Sequence, residues 1–154
     1  MDLTLSLCLP HDALSVPVVR KVATQSLLSV GFLDVDVDDA ELAITEACGN
    51  VLRHSHVDDQ YLVQVELHDA TLTMEVVDAG HGFDGASLGH GPAPGSAEMG
   101  RGIQLMRAMV DDVRFSYLPG RGSVVIMTKR LRYHADSPLA LMGRTSGEQR
   151  GGSR

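Results

Sequence analysis

Residues 72–82 read Leu72-Thr73-Met74-Glu75-Val76-Val77-Asp78-Ala79-Gly80-His81-Gly82, and this stretch decides the fold. Apolar Leu72, Met74 and Val76 recur at every second position, which is typical of a β-strand with one buried face. Asp78 is in phase with that face, so its carboxylate points into the protein where the strand meets two glycines. Burying even a neutral polar group without a partner costs about 2–7 kcal/mol. We therefore expect a ligand donor at Asp78, such as the amino group of adenine, and a nucleotide pocket beside it.

Bulk composition restricts the class of protein. The chain has 154 residues, 44% of them apolar, which is enough for one domain with a sizeable core. Its formal net charge of −7 argues against binding to a phosphate backbone, so we expect no direct nucleic-acid partner. Cys8 and Cys48 form no CxxC pair, which favours a reduced, cytoplasmic protein. The sequence has no signal-peptide pattern and no apolar run of membrane-spanning length, so we expect no membrane association.

Alternating and helical spacings divide the chain into strands and helices. Ser15 is the expected cap of the first helix, with Pro17 in its first turn and Gly31 as its stop. Asp69-Ala70 is the expected turn of a hairpin. The predicted order is strand 3–9, helix 15–30, a helix from 34–39 to 53 or 54, strand 61–67, strand 72–78, helix 102–110, strand 113–117 and strand 123–130.

Two stretches lack a regular pattern. Residues 82–100 are rich in glycine and proline, so we expect a mobile loop that acts as a lid over a ligand. Residues 131–154 are polar and end in a glycine-rich run. We expect them to form a disordered tail after a single domain that spans residues 1–130.

The second predicted helix carries a polar stripe along the border of its apolar side. At 100° per residue, Glu46, Asn50 and His54 follow one another at intervals of four residues on that border. An isolated Glu-x-x-x-Asn pair is most often part of a solvated helix face. Its combination with Asp-x-Gly-x-Gly at 78–82 and with Gly-Arg-Gly at 100–102 is far more specific.

These three segments, in this order, resemble the GHKL ATPase superfamily and, within it, the bacterial anti-sigma-factor serine kinases. Residues 45–54 (Thr45-Glu46-Ala47-Cys48-Gly49-Asn50-Val51-Leu52-Arg53-His54) are similar to the N box of that family. Residues 76–82 are similar to its first glycine box and residues 99–106 to its second. The resemblance spans about residues 3–130. It implies a Bergerat-type, two-layer α/β sandwich whose mixed, largely antiparallel sheet is covered on one face by helices.

The resemblance also implies roles for individual residues. Glu46 would be the catalytic general base, Asn50 would coordinate Mg²⁺, and Asp78 would bind the adenine amino group of ATP. Ser123 stands on the last strand where the family often has a threonine near adenine. The glycine boxes would hold the nucleotide through Gly80, Gly82, Gly100, Arg101, Gly102 and Ile103, the last four at the phosphates.

The chemistry of these residue types agrees with that assignment. Mg²⁺ prefers oxygen ligands and keeps several waters, so one Asn50 carbonyl and phosphate oxygens would suffice. Glu46 lies one helical turn earlier and could orient a hydroxyl, a contribution typically worth roughly 10²–10⁴-fold in rate. If a helix starts at Gly100, the backbone N–H groups of residues 100–103 are free to bind phosphate. Arg101 is the nearest fixed cation, since no Lys or Arg lies between Ala79 and Gly100.

Other nucleotide and metal motifs fit the chain less well. Gly100-Arg101-Gly102 lacks the third glycine of a dinucleotide fingerprint and does not follow a strand, and no GxxxxGK[ST] P-loop is present. His54 and His56 lie two residues apart, so they would not share a helix face as zinc ligands.

The sequence therefore predicts a serine protein kinase that uses Mg-ATP. Its expected partners are a small anti-anti-sigma-type substrate and a sigma factor that the same domain sequesters, with a homodimer as an option. Two alternatives stay open, which are a non-catalytic, nucleotide-dependent binding module and a simple ATP hydrolase. An intact Glu46 favours the kinase over the binding module.

Overall fold

The computed structural model describes residues 1–54, 60–78, 97–118 and 122–142. Five strands form one sheet in the order β1-β2-β3-β5-β4, and the helices pack against it. The predicted two-layer α/β architecture is confirmed. The elements are β1 (Asp2–Pro10), α1 (Ser15–Val30), α2 (Asp34–His54), β2 (Gln60–His68), β3 (Thr71–Asp78), α3 (Ala97–Met109), β4 (Asp112–Leu118) and β5 (Gly122–Arg130).

The described strands pair only in the antiparallel sense. The expectation of a mixed sheet is therefore corrected for this part of the chain. A hairpin joins β2 to β3, and a hairpin connection makes neighbouring strands antiparallel. The consecutive strands β4 and β5 also pair in the antiparallel sense. The central strand β3 lies between β2 and β5, which places its carboxyl end inside the sheet.

One face of the sheet forms the core with α1 and α2. The inward residues of β2 and β3 alternate with partly exposed ones, as the spacing of the sequence predicted. Full burial of one such aliphatic side chain contributes about 1.5–3 kcal/mol. The core side chains include Val63, Val65, Leu72, Met74 and Val76 from the sheet and Val19, Leu27, Ile44 and Ala47 from the helices.

The hairpin between β2 and β3 turns at the predicted residues. Asp69 and Ala70 both have positive φ, 46° and 70°. Two consecutive positive φ values are the mark of a type I′ turn, whose twist matches that of the strands it joins. The Ala70 carbonyl also accepts a hydrogen bond from the Leu131 N–H at 2.8 Å, which links the turn to the chain after β5.

The two ends of α1 differ in how well the sequence predicted them. Gly31 ends the helix at φ 99°, and its N–H donates to the Leu27 and Leu28 carbonyls. The prediction that Ser15 caps the start is wrong, because Leu14 is the cap residue and makes no side-chain capping bond. Ser15 is the first helical residue, and its Oγ lies 2.6 Å from the Asp12 carbonyl in a buried position.

The chain after β5 is packed rather than disordered as far as residue 142. Leu131 is 3% exposed, and Phe32 pairs with Tyr133 in an isolated β-bridge. The His134 N–H donates to the Gly31 carbonyl at 2.9 Å. The prediction of a tail that is disordered from Leu131 onward is wrong for residues 131–142, because backbone bonds hold them to the α1–α2 junction. Residues 143–154 lie outside the described residues.

Helix α3 begins at Ala97, earlier than the predicted Gly102. Residues 101–103 therefore lie in its second turn, where N–H groups donate to carbonyls four residues before. The expectation that these N–H groups are free donors at a helix start is corrected. Residues 82–96 of the predicted loop and lid lie outside the described residues. Within the described part of the chain, no helix has the length and apolar composition needed to cross a bilayer.

Candidate functional site

Asp78 ends the central strand β3 in a buried position. Its residue is 4% exposed, as the alternation of the sequence predicted. It is paired in register with Tyr61 of β2 on one side and with Ser123 of β5 on the other. The two side chains expected near adenine, Asp78 and Ser123, thus lie on neighbouring strands at the same level of the sheet. Gly80 and Gly82 follow outside the described residues, so their role stays a prediction.

Glu46 and Asn50 lie one turn apart on α2 and face Gly102 of α3. A Cβ placed on Gly102 would be 3.0 Å from Glu46 Oε2 and 3.4 Å from Asn50 Oδ1. A side chain at this position would therefore press on the Glu46 carboxylate and touch the Asn50 amide. The glycine lets α3 approach a carboxylate and an amide oxygen closely. The structure thus brings together residues of the N box and of the second glycine box.

The remaining residues of the second glycine box have different surroundings. Gly100 is exposed, and a Cβ there would meet nothing within 4 Å. Arg101 is exposed and lines a cleft of about 310 Å³ together with Glu46, Gly102 and Leu105. Ile103 is partly buried and packs against the core, so its side chain helps to hold α3 in place. Only the Arg101 side chain in this group offers a charge to a ligand in the cleft.

Arg53 belongs to this site although it was not predicted. Its Nη2 donates a hydrogen bond to Asn50 Oδ1 at 2.6 Å and lies 3.9 Å from Glu46 Oε2. Arg53 also lines the same cleft as Arg101. Its position three residues after Asn50 and seven after Glu46 puts it on the same side of α2, so helical spacing could have identified it.

Two titratable groups in the core beside the site, the Cys48 thiol and the Tyr61 hydroxyl, stay protonated at neutral pH. Burial raises the pKa of the Cys48 thiol to about 12. Burial also raises the pKa of Tyr61, the register partner of Asp78, to about 12. Both groups are uncharged at neutral pH and serve as packing. Neither group can act as a general base at neutral pH.

A charged contact outside the cleft fixes the start of α2. Asp36 Oδ1 accepts a bond from Arg132 Nη2 at 2.6 Å, and Asp36 Oδ2 accepts one from the Arg132 backbone N–H at 2.7 Å. The side-chain hydrogen bond from Arg132 lowers the pKa of the Asp36 carboxyl. The pair joins α2 to the segment after β5 and is structural.

The donor set fits a Mg²⁺ ion that carries phosphate oxygens and water. The Asn50 carbonyl oxygen and the Glu46 carboxylate are hard oxygen donors of the kind that Mg²⁺ prefers. Gly102 presents no side chain to these two oxygens. Arg101 and Arg53 stand at the same cleft and could pair with phosphate charge. The residues present are therefore compatible with Mg-ATP.

Comparison with known proteins identifies a family over most of the chain. A family model described as a histidine kinase-like ATPase domain matches residues 9–129. The chain is 27% identical over 134 residues to the serine-protein kinase RsbW of Bacillus cereus (strain G9842), an alignment that covers 80% of this chain and 82% of that protein. The serine-protein kinase RsbW of Bacillus thuringiensis (strain Al Hakam) shows the same identity and coverage.

A solved structure shares the fold. It contains the RsbU and RsbW domains of a Mycobacterium tuberculosis protein and matches with a TM-score of 0.64 at 20% sequence identity. The match covers 86% of this chain and 34% of that one, so this chain spans about a third of the longer protein.

Proposed function

Because this chain belongs to the histidine kinase-like ATPase domain family, we propose that it is a serine protein kinase that transfers phosphate from Mg-ATP to a small anti-anti-sigma-type protein. The same domain would bind a sigma factor and so regulate transcription by partner switching. The observation that carries the proposal is the placement of Glu46 and Asn50 against Gly102. The Bacillus relatives, which are named as serine-protein kinases, support the same reaction.

The adenine base would be recognised at the end of β3. The Asp78 carboxylate is an acceptor in a buried position, which suits the amino group of adenine. Ser123 lies across from it on β5 with a hydroxyl that can both donate and accept. Gly80 and Gly82 are proposed to complete this pocket, because residues without side chains allow a base to approach the backbone.

The phosphates would lie in the cleft between α2 and α3. Bound Mg²⁺ would neutralise phosphate charge there. Asn50 offers the carbonyl ligand, and Arg101 offers a fixed positive charge at the cleft wall. Glu46 Oε2 would accept the proton of the attacking serine hydroxyl and hold that hydroxyl in line with the phosphoryl group. Gly102 presents no side chain that would press on Glu46 in this arrangement.

The test is transfer of label from ATP to protein. The protein would be incubated with γ-labelled ATP, Mg²⁺ and candidate antagonist proteins from the same genome, and label is expected on a serine of one of them. Glu46→Gln is expected to keep Mg-ATP affinity and to lose roughly 10²–10⁴-fold in transfer rate, since it loses the proton acceptor. Asn50→Ala is expected to lose Mg²⁺-dependent ATP binding. Glu66→Gln, which removes an exposed carboxylate from β2, is the matched control.

The other outcomes separate the alternative functions. Release of labelled phosphate without a labelled protein would identify an ATP hydrolase. Nucleotide-dependent binding of a partner without transfer would identify a non-catalytic binding module. Transfer by Glu46→Gln at the wild-type rate would refute the general-base role and leave positioning as the source of catalysis.

A further inference from the structure

The Arg53 side chain folds back along α2 over the two polar groups of the site. Its guanidinium passes Gly49, where an added Cβ would lie 3.5 Å from Arg53 Nη1. It then reaches Asn50 Oδ1 with Nη2 at 2.6 Å, while Glu46 Oε2 lies 3.9 Å from the same nitrogen. The Arg53 side chain is 42% exposed, so it can leave this position without disturbing the core.

This contact uses the oxygen that Mg²⁺ would need. A guanidinium is always protonated and only donates hydrogen bonds, whereas a carbonyl oxygen only accepts them. The Arg53 guanidinium therefore lies beside Asn50 Oδ1, where a bound Mg²⁺ ion would lie. Two cations at one oxygen repel each other strongly at such short range. Arg53 and Mg²⁺ are therefore alternative partners of Asn50.

We propose that Arg53 is a built-in cation that occupies the metal position at Asn50 and replaces Mg²⁺ in part when ATP binds without metal. This inference rests on the proposed function, since it concerns the same nucleotide site. It assigns Arg53 a direct contact with the ATP phosphates. When metal is present, Arg53 gives up Asn50 and stays in the lining of the cleft, which also includes Arg101.

The charges that line the cleft support a contact between Arg53 and the ATP phosphates. Arg53 and Arg101 are the cationic side chains among the described residues that line it. A guanidinium presents a planar set of donors that matches phosphate oxygens, often through two bonds at once. Without Mg²⁺, the charge of the ATP phosphates has only these two side chains nearby to offset it within the described residues. Removal of the Arg53 side chain should therefore weaken ATP binding more in the absence of Mg²⁺ than in its presence.

The test compares ATP affinity in EDTA with ATP affinity in excess Mg²⁺ by calorimetry. The measured quantity is the ratio of the two dissociation constants, EDTA over Mg²⁺. In Arg53→Gln this ratio is expected to rise about tenfold over the wild type, the size expected for loss of a hydrogen bond to a charged group. Arg53→Lys keeps the charge, so its ratio should lie closer to that of the wild type. Arg107→Gln is the matched control, since it removes an exposed charge of α3 outside the cleft lining, and its ratio should stay within about twofold.

The outcomes distinguish this inference from the proposed function. An Arg53→Gln ratio equal to that of the wild type, with ATP binding intact, would overturn the role of Arg53 alone. An equal rise in Arg107→Gln would also overturn it, because the effect would then be one of net charge. Failure of the wild type to bind ATP in either buffer would overturn the proposed function and this inference together. Thermal melting of each variant would verify that it is folded.

Discussion

Replacement of Gly102 by alanine should make the protein more stable and less active. Alanine is favoured over glycine inside a helix by about 0.8–1 kcal/mol. The new methyl group would lie 3.0 Å from Glu46 Oε2, which is the far end of a side chain that can swing aside. Because the contact is relieved by rotation of Glu46, most of the helix gain should remain. For a chain of this length, a gain of about 1 kcal/mol raises Tm by roughly 3 °C.

The same methyl group should damage the reaction. Relief of the contact needs Glu46 Oε2 to move by a few tenths of an ångström and leaves Asn50 Oδ1 at 3.4 Å from the methyl carbon. Since a misplacement of about 1 Å can cost 10²-fold in rate, we expect about a tenfold loss of phosphotransfer at Gly102→Ala. Calorimetric melting and the labelled-ATP assay would measure the two effects on the same protein.

Gly100→Ala is the matched control for this prediction. It lies on the same helix, and an added Cβ there would meet nothing within 4 Å. It should also raise Tm, and its loss of phosphotransfer should be smaller than that of Gly102→Ala. Wild-type phosphotransfer in Gly102→Ala would refute the reasoning, because the space in front of Glu46 and Asn50 would then be unimportant. Equal losses in both variants would show that contact with Glu46 is not the cause.

Three further predictions test other parts of the molecule. Asp78→Asn should weaken ATP binding by about 1–3 kcal/mol or more, because the amide removes the negative charge and replaces one of the two acceptor oxygens by a donor nitrogen; unchanged affinity by calorimetry would remove adenine recognition from this position. The lowered pKa of Asp36 means that its ion pair with Arg132 stabilises the fold above the unfolded pKa near 3.8 and is lost as pH falls through the lower folded value. Asp36→Asn should thus be less stable by about 2 kcal/mol at pH 7, with a difference that shrinks below pH 4 in urea unfolding; a constant difference would contradict this linkage. Ala70→Gly should stabilise the protein by about 1 kcal/mol, because Ala70 has φ 70°; a lower Tm would argue against a type I′ turn.

Much of the fold could be predicted from local sequence patterns. The alternation of Leu72, Met74 and Val76 predicted both the central strand and the buried carboxylate of Asp78, because side chains of a strand alternate between its faces. Gly31 ends α1 as predicted, since a left-handed residue there favours glycine. These features depend on backbone geometry within a few residues, so they can be recognised without knowledge of the rest of the chain.

Element ends were harder to predict. Ser15 has the chemistry of a helix cap, but its hydroxyl bonds Asp12 and contacts Tyr61 inside the protein, which removes it from the capping position. Helix α3 starts at Ala97 although Gly100 and Gly102 lower helix propensity. Packing of α3 against α2 overrides that preference, as tertiary contacts commonly do.

The sequence alone determined which side of α2 carries Glu46 and Asn50 and that Asp78 turns inward, because both follow from the period of a single helix or strand. Only the tertiary structure placed Gly102 of α3 against that pair. It also showed that Arg132 binds Asp36, a residue 96 positions away in the chain. Such contacts depend on how separate elements pack and which rotamer each side chain adopts, and no local period encodes either.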